Sequence, residues 1–430
     1  MYHMSYTNIF RIACIAWFCL TWQDASAQAI PQSKEQLTLS YAPVVKQVTP
    51  SVVNIYTSKT VTVQSALSPL MNDPLFGQFF KNFGGMQFGR AREKVVNSLG
   101  SGVLIRPNGL LVTNHHVIKD AEEIKVVLSD RREFEAELVL ADPKTDIALL
   151  TITEPDVTLP HLEMRSADEV EVGDLVLVVG NPFGVGQTVT SGIISATART
   201  TVGISDYQFF LQTDAAINPG NSGGAMVDMN GKLVGVPTAI YSKSGGSVGV
   251  GFAIPSNMVK TVVESYEKGG KVTRPWLGVT TVDVTQDIAH SLGLDRPHGA
   301  LVKDIYIGGA AAKAGLRQGD VILAVNGEDV LDAQGLRFKI ATAPLGNTQR
   351  FTLLRKGKTK HVSVLMEGPP EHIDHALIEL EGNHPLTRVV VGNLSPALAE
   401  RLNLKTYEGV VITEVPPNSP ADRIGVQKGD

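Results

Sequence analysis

Short runs of alternating apolar and polar residues fill the chain from about Ser51 to Pro255. Gly, Asn and Asp separate the runs, which include Ser51–Tyr56, Gly102–Ile105, Leu110–Val112, Ile124–Leu128, Leu175–Val179 and Lys232–Val236. Each run is too short for a typical helix, and this pattern is typical of antiparallel strands joined by turns. Arg106-Pro-Asn-Gly109, between two runs, predicts a hairpin. Residues 51–258 are therefore expected to form a mainly β domain of two small, packed barrels.

One long stretch interrupts this pattern. Residues 65–92 carry Leu75, Phe76, Phe79, Phe80, Phe83 and Phe88 among Gly, Asn and Met. A loop of this length with so many aromatic residues indicates either a lid or an interaction surface. Further along, a helical pattern at Asn257–Lys268 ends at Gly269-Gly270. Residues 259–273 are therefore expected to form a linker helix after the β domain.

The C-terminal part contains an internal repeat. Ala312–Asp320 reappears as Asp422–Asp430, and His298–Val302 matches Glu408–Ile412. Such a repeat predicts two copies of one module, at residues 274–366 and 386–430, joined by a polar linker at 367–385. The second copy stops where the first continues into Val321–Gly327, so we expect an incomplete second module.

Composition narrows the class of protein. A formal net charge of −5 excludes a nucleic-acid binder that uses a basic face. With 43% hydrophobic and 19% charged residues, overall disorder is also excluded.

The two cysteines, Cys14 and Cys19, lie in an apolar run between Arg11 and Ala25-Ser-Ala27. This order predicts a secretory signal peptide at residues 1–27, cleaved after Ala27, and an N-terminal segment at 28–50. A membrane anchor is the alternative, but the run is too short to cross a bilayer. A lipoprotein signal would need a small residue where Phe18 stands. The mature chain would then lack cysteine, which excludes disulfides and thiol catalysis and suits the periplasm.

Three short segments carry the candidate chemistry. In Asp214–Gly224, a serine flanked by glycines makes Ser222 a candidate nucleophile, and consecutive amides at Gly220, Asn221 and Ser222 make a candidate oxyanion hole. Leu111–Ile118 places histidines just after a strand, and Asp142–Leu150 places aspartates just before one. A serine, a base and an orienting acid are the parts of a catalytic triad.

The chain resembles the HtrA (DegP/DegQ) family of serine proteases from about Tyr41 to the last residue. The resemblance lies in these three segments, in Gly251–Asn257 and in the C-terminal repeat. The resemblance implies a chymotrypsin-like double β-barrel followed by PDZ domains, the second here incomplete. It assigns the base to His116, with His115 as a spectator. It assigns the acid to Asp146, which directly precedes Ile-Ala-Leu, and leaves Asp142 in the turn.

The specificity pocket can be read from position. In trypsin-like folds, the residue six before the nucleophile lies at the base of the S1 pocket. Here it is Ala216, beside Ile217, so no carboxylate is present to bind Lys or Arg. We expect cleavage after Val, Ala, Leu or Ile; ordinary core packing is the alternative for Ile217. The resemblance adds a second wall and docking strand formed by Thr238, Ala239, Ile240, Tyr241 and Ser242.

Arg274–Val279 resembles the carboxylate-binding loop of a PDZ domain. Its amides at Leu277, Gly278 and Val279 would bind a peptide C-terminus while the peptide extends a sheet edge. The alternative is that Trp276 and Leu277 only fill the domain boundary. The resemblance further implies that residues 65–92 are a regulatory loop and that the chain forms homotrimers or multiples of trimers. It also implies that Arg199 is a regulatory sensor; a solvated surface charge is the alternative.

The sequence therefore predicts a periplasmic, ATP-independent serine endopeptidase that degrades misfolded or damaged envelope proteins and is regulated by C-terminal peptides. No cofactor, metal or nucleic acid is expected. A holdase chaperone, or a regulatory protease that cuts one signalling partner, are the alternatives. His372 and His375 have a spacing compatible with a metal, with Glu371 and Asp374 nearby, but they lack a further ligand cluster and do not predict a zinc site.

Overall fold

The computed structural model describes residues 40–62, 93–153, 158–181, 186–199, 209–240, 246–270, 272–371, 377–402, 404, 406, 407 and 409–430. The expected signal peptide, the 65–92 loop, Tyr241, Ser242, His372 and His375 lie outside the described residues. The chain divides into two compact units, residues 1–43 and residues 44–430, and the barrels and modules below belong to the second.

The first barrel is closed and has six strands in the order β1-β2-β3-β6-β5-β4. These are β1 (Val52–Thr62), β2 (Glu93–Leu104), β3 (Leu110–Asn114), β4 (Glu123–Val127), β5 (Glu133–Asp142) and β6 (Ile147–Ile152). Helix α1 (Ala42–Val48) precedes β1, and the one-turn helix α2 (His115–Ile118) follows β3. The predicted turn at Arg106–Gly109 joins β2 to β3, with the Gly109 N–H donating to Arg106 O at 3.3 Å.

The second barrel is also closed, in the order β10-β11-β12-β9-β8-β7. Its strands are β7 (Leu175–Gly180), β8 (Thr188–Arg199), β9 (Phe210–Thr213), β10 (Ala225–Val227), β11 (Leu233–Ile240) and β12 (Gly251–Pro255). Helix α3 (Ser256–Glu267) follows directly. The expected pair of small β-barrels is confirmed.

Strands at the junction of the barrels are buried on both faces. In β7, Val178 faces the second barrel's interior and Val179 packs into a cluster shared by both barrels. In β3, Leu111 faces the first interior and Val112 the shared cluster. Because successive side chains point to opposite faces, such strands are continuous apolar runs. The shared cluster joins the barrels and fixes how their loops meet.

The first C-terminal module is a sheet in the order β13-β14-β15-β17-β18, with β16 paired to β15. Its strands are β13 (Val279–Asp283), β14 (Ala300–Ile305), β15 (Val321–Val325), β16 (Glu328–Asp329), β17 (Thr348–Arg355) and β18 (Lys358–Leu365). Helices α4 (Gln286–Leu292), α5 (Ala310–Lys313) and α6 (Ala333–Ala341) complete it. Strand β13 lies at the sheet edge, next to α6.

The second module contributes a three-stranded sheet of β19 (Ile378–Glu379), β20 (Val390–Asn393) and β21 (Val410–Glu414), with α7 (Pro396–Leu402) and α8 (Pro420–Arg423). Strand β19 falls within the stretch expected to be linker. The repeat is visible in the hydrogen bonds: Val302 N donates to Asp320 O at 2.8 Å, and Ile412 N to Asp430 O at 2.9 Å. Among the described residues, no helix is both long and apolar enough to cross a membrane.

Candidate active site

The register of two strands brings the candidate base beside the candidate acid. Strands β3 and β6 pair antiparallel, with Asn114 opposite Ile147 at the end of the ladder. Helix α2 follows β3, and Asp146 precedes β6, so His116 and Asp146 lie side by side. The Asn114 side-chain amide and the His115 N–H both donate to Asp146 O, at 3.1 and 3.0 Å. Local pairing in the first barrel is therefore sufficient to assemble this half of the site.

Asp146 is buried, with 7% of the residue exposed, and its carboxylate accepts hydrogen bonds from two residues. Its Oδ1 accepts from the His116 backbone N–H at 2.9 Å, and its Oδ2 lies 2.7 Å from His116 Nδ1 and 2.6 Å from the Thr238 hydroxyl that donates to it. Burial raises the pKa of Asp146, but the charge of His116 and the hydrogen bonds from His116 and Thr238 outweigh it, so the pKa is held below its ordinary value. An ionised carboxylate only accepts, so His116 Nδ1 carries a proton and Nε2 is left to act as the base.

The candidate nucleophile comes from the second barrel. Ser222 lies in the loop between β9 and β10, and its carbonyl accepts from Ser101 N of β2 at 3.0 Å. The Ser222 hydroxyl donates to Thr238 O of β11 at 3.3 Å. Thr238 therefore contacts the nucleophile through its carbonyl and the acid through its hydroxyl. The sequence placed Thr238 only in a substrate wall, because no spacing signal reveals these cross-barrel contacts.

Two glycines shape the loop around Ser222. Gly220 and Gly223 have φ of 100° and 81°, in the left-handed region that favours glycine. A Cβ on Gly223 would lie 2.2 Å from Ser101 O, so no larger residue fits there. The Asn221 N–H donates to Asn218 O at 2.9 Å and closes the turn. Within the described part of the chain, the Gly220 and Ser222 amides donate to no acceptor, which leaves these two able to bind an oxyanion.

The candidate S1 residues occupy different environments. Ala216 is half-buried, and its carbonyl accepts from the Thr190 hydroxyl at 2.8 Å. Ile217 is 1% exposed and packs in the core of the second barrel, where a Cβ on Gly251 would lie 2.7 Å from its Cδ1. Ile240 packs against the same core, and the backbone of Ala239 continues β11. Ala216 and Ile240 are therefore partly exposed, whereas Ile217 is fully buried.

The candidate carboxylate loop precedes the edge strand β13. Gly278 has φ of 74°, and Leu277 O and Gly278 O accept from Ala311 N and Tyr306 N, both at 2.9 Å. Neither the Leu277 nor the Gly278 amide has an acceptor among the residues described. Val279 begins β13, and Trp276 packs edge-to-face on Tyr306 with ring centroids 5.3 Å apart. The loop carbonyls are thus held from behind while the amides remain available.

Arg199 ends strand β8, where its backbone pairs with Phe210 of β9. The adjacent Phe209 stacks on Phe338 of α6, with ring centroids 3.8 Å apart and planes 9° from parallel. The end of β8 is therefore one strand away from a contact with the first module.

Comparison with known proteins identifies the family. A family model described as a trypsin-like peptidase domain matches residues 100–236, and a PDZ domain model matches residues 275–366. The periplasmic serine endoprotease DegP of Salmonella typhimurium is 38% identical over 433 residues, covering 96% of this chain and 88% of the relative. The chain belongs to the HtrA/DegP family of serine endoproteases.

Other members of the HtrA/DegP family agree. DegP of Escherichia coli K12 is 38% identical over 424 residues, covering 94% of this chain and 86% of that protein. Among solved structures, the HtrA-type protease AlgW with decapeptide is 42% identical, with a TM-score of 0.55, and covers 78% of this chain and 100% of its own. AlgW with tripeptide is 40% identical, with a TM-score of 0.56, and covers 78% of this chain and 99% of its own. The chain is therefore a serine endopeptidase with a chymotrypsin-like double barrel and a PDZ domain.

Proposed function

We propose that this HtrA-family chain is a periplasmic, ATP-independent endopeptidase that degrades unfolded or damaged envelope proteins, with Ser222 as nucleophile, His116 as general base and Asp146 as orienting acid. The observation that carries the proposal is the His116–Asp146 contact of 2.7 Å at the barrel junction, linked to Ser222 through Thr238. The periplasmic relatives support the compartment.

Each group has one chemical task. Ser222 Oγ attacks the scissile carbonyl while His116 Nε2 takes its proton, and the imidazolium is stabilised by the adjacent Asp146 carboxylate. The Gly220 and Ser222 amides stabilise the negative charge on the tetrahedral intermediate. His116 then donates its proton to the leaving amine, and water repeats the sequence to release the acyl product.

We also propose cleavage after Val, Ala, Leu or Ile. The small, half-buried Ala216 at the base of the S1 pocket supports this preference, because it offers no negative charge to a basic side chain. The substrate would pair with β11 beyond Thr238. Unfolded proteins expose aliphatic residues in extended segments, so such a site favours them over folded proteins.

Regulation by a peptide C-terminus is the third part of the proposal. The Leu277 and Gly278 amides, which have no acceptor in the described part of the chain, and the edge strand β13 together form a suitable carboxylate site with strand pairing beside it. Helix α6 borders this groove through Leu336 and Ile340, and its Phe338 stacks on Phe209 of the protease domain. Peptide binding at one face of α6 can therefore change the packing of the other face against the protease domain.

Assembly into trimers or their multiples rests on the family resemblance and is checked by light scattering.

The test compares wild type with Ser222→Ala on an unfolded, fluorescently labelled protein, with and without a C-terminal apolar peptide. We expect Ser222→Ala to lower the cleavage rate on the order of 10⁵–10⁶-fold. Ser291→Ala, an exposed serine in α4, is the matched control and should cleave normally. Mass spectrometry of wild-type products should place Val, Ala, Leu or Ile before the cut.

The outcomes separate the alternatives. Cleavage retained by Ser222→Ala would contradict the nucleophile assignment. Suppression of aggregation by both proteins without cleavage would favour a holdase chaperone. Cleavage of one folded partner, with unfolded proteins left intact, would favour a regulatory protease.

A further inference from the structure

Ser101 is a fully buried serine at the junction of the two barrels, with 0% of its surface exposed. It lies in β2 between Gly100 and Gly102, and both neighbours have to be small. A Cβ on Gly100 would lie 2.5 Å from Val117, and one on Gly102 would lie 2.9 Å from Ile55 and Leu111. These glycines let β2 pack closely against the interior of the first barrel. Because successive side chains of a strand point to opposite faces, Ser101 points away from that interior and reaches the nucleophile loop.

The hydrogen bonds of Ser101 connect three segments. Its hydroxyl donates to Gly220 O at 2.6 Å and accepts from Asn181 N at 2.9 Å. Its backbone N–H donates to Ser222 O at 3.0 Å, and its carbonyl accepts from the Thr113 hydroxyl at 2.7 Å. The Ser101 hydroxyl thus donates one hydrogen bond to the nucleophile loop and accepts one from the residue that follows β7.

The two acceptors on the loop belong to the residues that supply the oxyanion amides. Gly220 and Ser222 have their N–H groups available, while both of their carbonyls are bound by Ser101. Gly220 has no Cβ and a φ of 100°, so sterics alone leave its neighbouring peptide planes free to rotate. A hydrogen bond to Gly220 O removes much of that freedom and restricts the direction of the Gly220 N–H.

Close packing fixes the hydroxyl in this position. A Cβ on Gly180 would lie 3.1 Å from Ser101 Oγ, and one on Gly224 would lie 3.3 Å from Ser101 Cβ. The surrounding backbone therefore leaves room for a hydroxymethyl group and little more. Since Ser101 is also enclosed by hydrogen-bonded backbone, its hydroxyl has a single arrangement in which both partners are satisfied.

We propose that Ser101 is a positioning residue for the protease, which holds Gly220 O so that the Gly220 and Ser222 amides converge before substrate binds. The inference rests on the proposed function and adds a residue that acts through the oxyanion hole without contacting substrate. Preformed donors are effective because they need no reorganisation in the transition state. Loss of the hydroxyl should therefore affect the chemical step more than substrate binding.

The test measures kcat and KM of full-length Ser101→Ala on a chromogenic peptide, with the C-terminal apolar peptide present. Removing an oxyanion donor lowers kcat about 10²–10³-fold, so loosening one should lower it by about ten- to a hundredfold. KM should stay within about twofold, since ground-state contacts are unchanged. The inhibition constant of a peptidyl trifluoromethyl ketone, whose adduct places an oxyanion in the hole, should rise by the same factor as kcat/KM falls.

Thr113→Val is the matched control, because it removes a buried hydrogen bond from the same Ser101 but leaves Gly220 O bound. It should lower stability while keeping kcat and the inhibition constant. Ser101→Gly also lacks the hydroxyl and fits the same space, and it replaces Ser101→Ala in the test if that variant does not fold. Wild-type kcat in a folded Ser101→Ala or Ser101→Gly, or equal loss in Thr113→Val, overturns the inference. If Ser222→Ala cleaves substrate as fast as wild type, the proposed function is wrong, which is a different outcome from failure of the Ser101 inference.

Discussion

The Asp146 carboxylate accepts from the backbone and the ring of His116 and from the hydroxyl of Thr238. With both carboxylate oxygens engaged, the His116 ring is held in one orientation before substrate arrives. The Ser222 hydroxyl is held less firmly, because its bond to Thr238 O is 3.3 Å long. A long hydrogen bond of this kind is replaced at little cost when a substrate carbonyl approaches and the hydroxyl donates to the base.

His115, next to the base, gives a prediction about acid stability. Burial lowers the pKa of His115 below its ordinary value of 6.5, and the nearby Asp146 charge only partly opposes this. Below about pH 6.5 the unfolded chain binds a proton that the folded chain binds less readily, so the protein loses stability as pH falls through this range. We expect His115→Asn to reduce that loss. The free energy of unfolding of the variant minus that of wild type should therefore increase as the pH falls from 8 to 5.

Urea denaturation at several pH values measures this difference. His290→Asn, at an exposed position in α4, controls for the general effect of replacing a histidine. An unchanged pH slope in His115→Asn would show that the half-buried imidazole does not limit acid stability.

At the scale of elements, the sequence predicted what local pattern determines. Alternating runs and turn residues predicted the barrels, and the motif around Ser222 predicted a glycine-shaped loop. The roles of Ser101 and Thr238 were missed because they depend on which strands meet across two barrels. Ile217 was expected at a substrate wall, with core packing as the alternative, and its burial depends on the closure of Gly251 over it. Cross-strand neighbours of this kind have no signature in residue spacing.

Helix α6 connects the first module to the protease because its two faces pack differently. Leu336 and Ile340 belong to the core of the module, whereas Phe338 and Ala341 belong to the cluster shared by the barrels. No pattern in the sequence indicates the second face, since an apolar residue on a short helix is normally explained by its own domain. A shift of α6 would therefore disturb two cores together.

A buried ion pair also joins the first module to the protease domain. Arg274, at the start of the carboxylate loop, pairs with Asp142, which begins the turn that ends at Asp146; their side chains are 9% and 6% exposed. The Thr145 hydroxyl donates to the same Asp142 oxygen. Removing one partner leaves a buried charge, so Arg274→Met or Asp142→Asn should each cost about 3–5 kcal/mol of stability.

The double variant should lose clearly less than the sum of the single variants, because it leaves no unpaired charge. Free energies of unfolding for wild type, both single variants and the double variant form a complete cycle. Additive losses would mean that the pair is not energetically coupled. Lys59→Met, at an exposed ion pair with Asp120, serves as the control and should change stability by about 1 kcal/mol or less.

At the scale of the whole molecule, the second module lies against the groove between β13 and α6. Leu404, Glu400 and Tyr407 line this groove together with residues of the first module. Tyr407 packs edge-to-face on Trp276 with ring centroids 5.3 Å apart, and its hydroxyl donates to Glu400 at 3.2 Å. The Lys144 ammonium, in the turn before Asp146, donates to Glu400 O. A peptide entering the groove therefore competes with contacts that also reach the protease domain.

This competition predicts that Tyr407→Ala binds C-terminal apolar peptides more tightly than wild type. An edge-to-face aromatic pair is worth about 0.5–1.5 kcal/mol, so its loss should lower Kd by roughly two- to tenfold. Fluorescence anisotropy with a labelled peptide measures Kd, in the Ser222→Ala background so that the peptide is not cut. Tyr407→Phe keeps the ring on Trp276 and should bind like the parent. Weaker binding by Tyr407→Ala would mean instead that Tyr407 belongs to the peptide site. In that case the bound peptide contacts the Tyr407 ring and does not displace it.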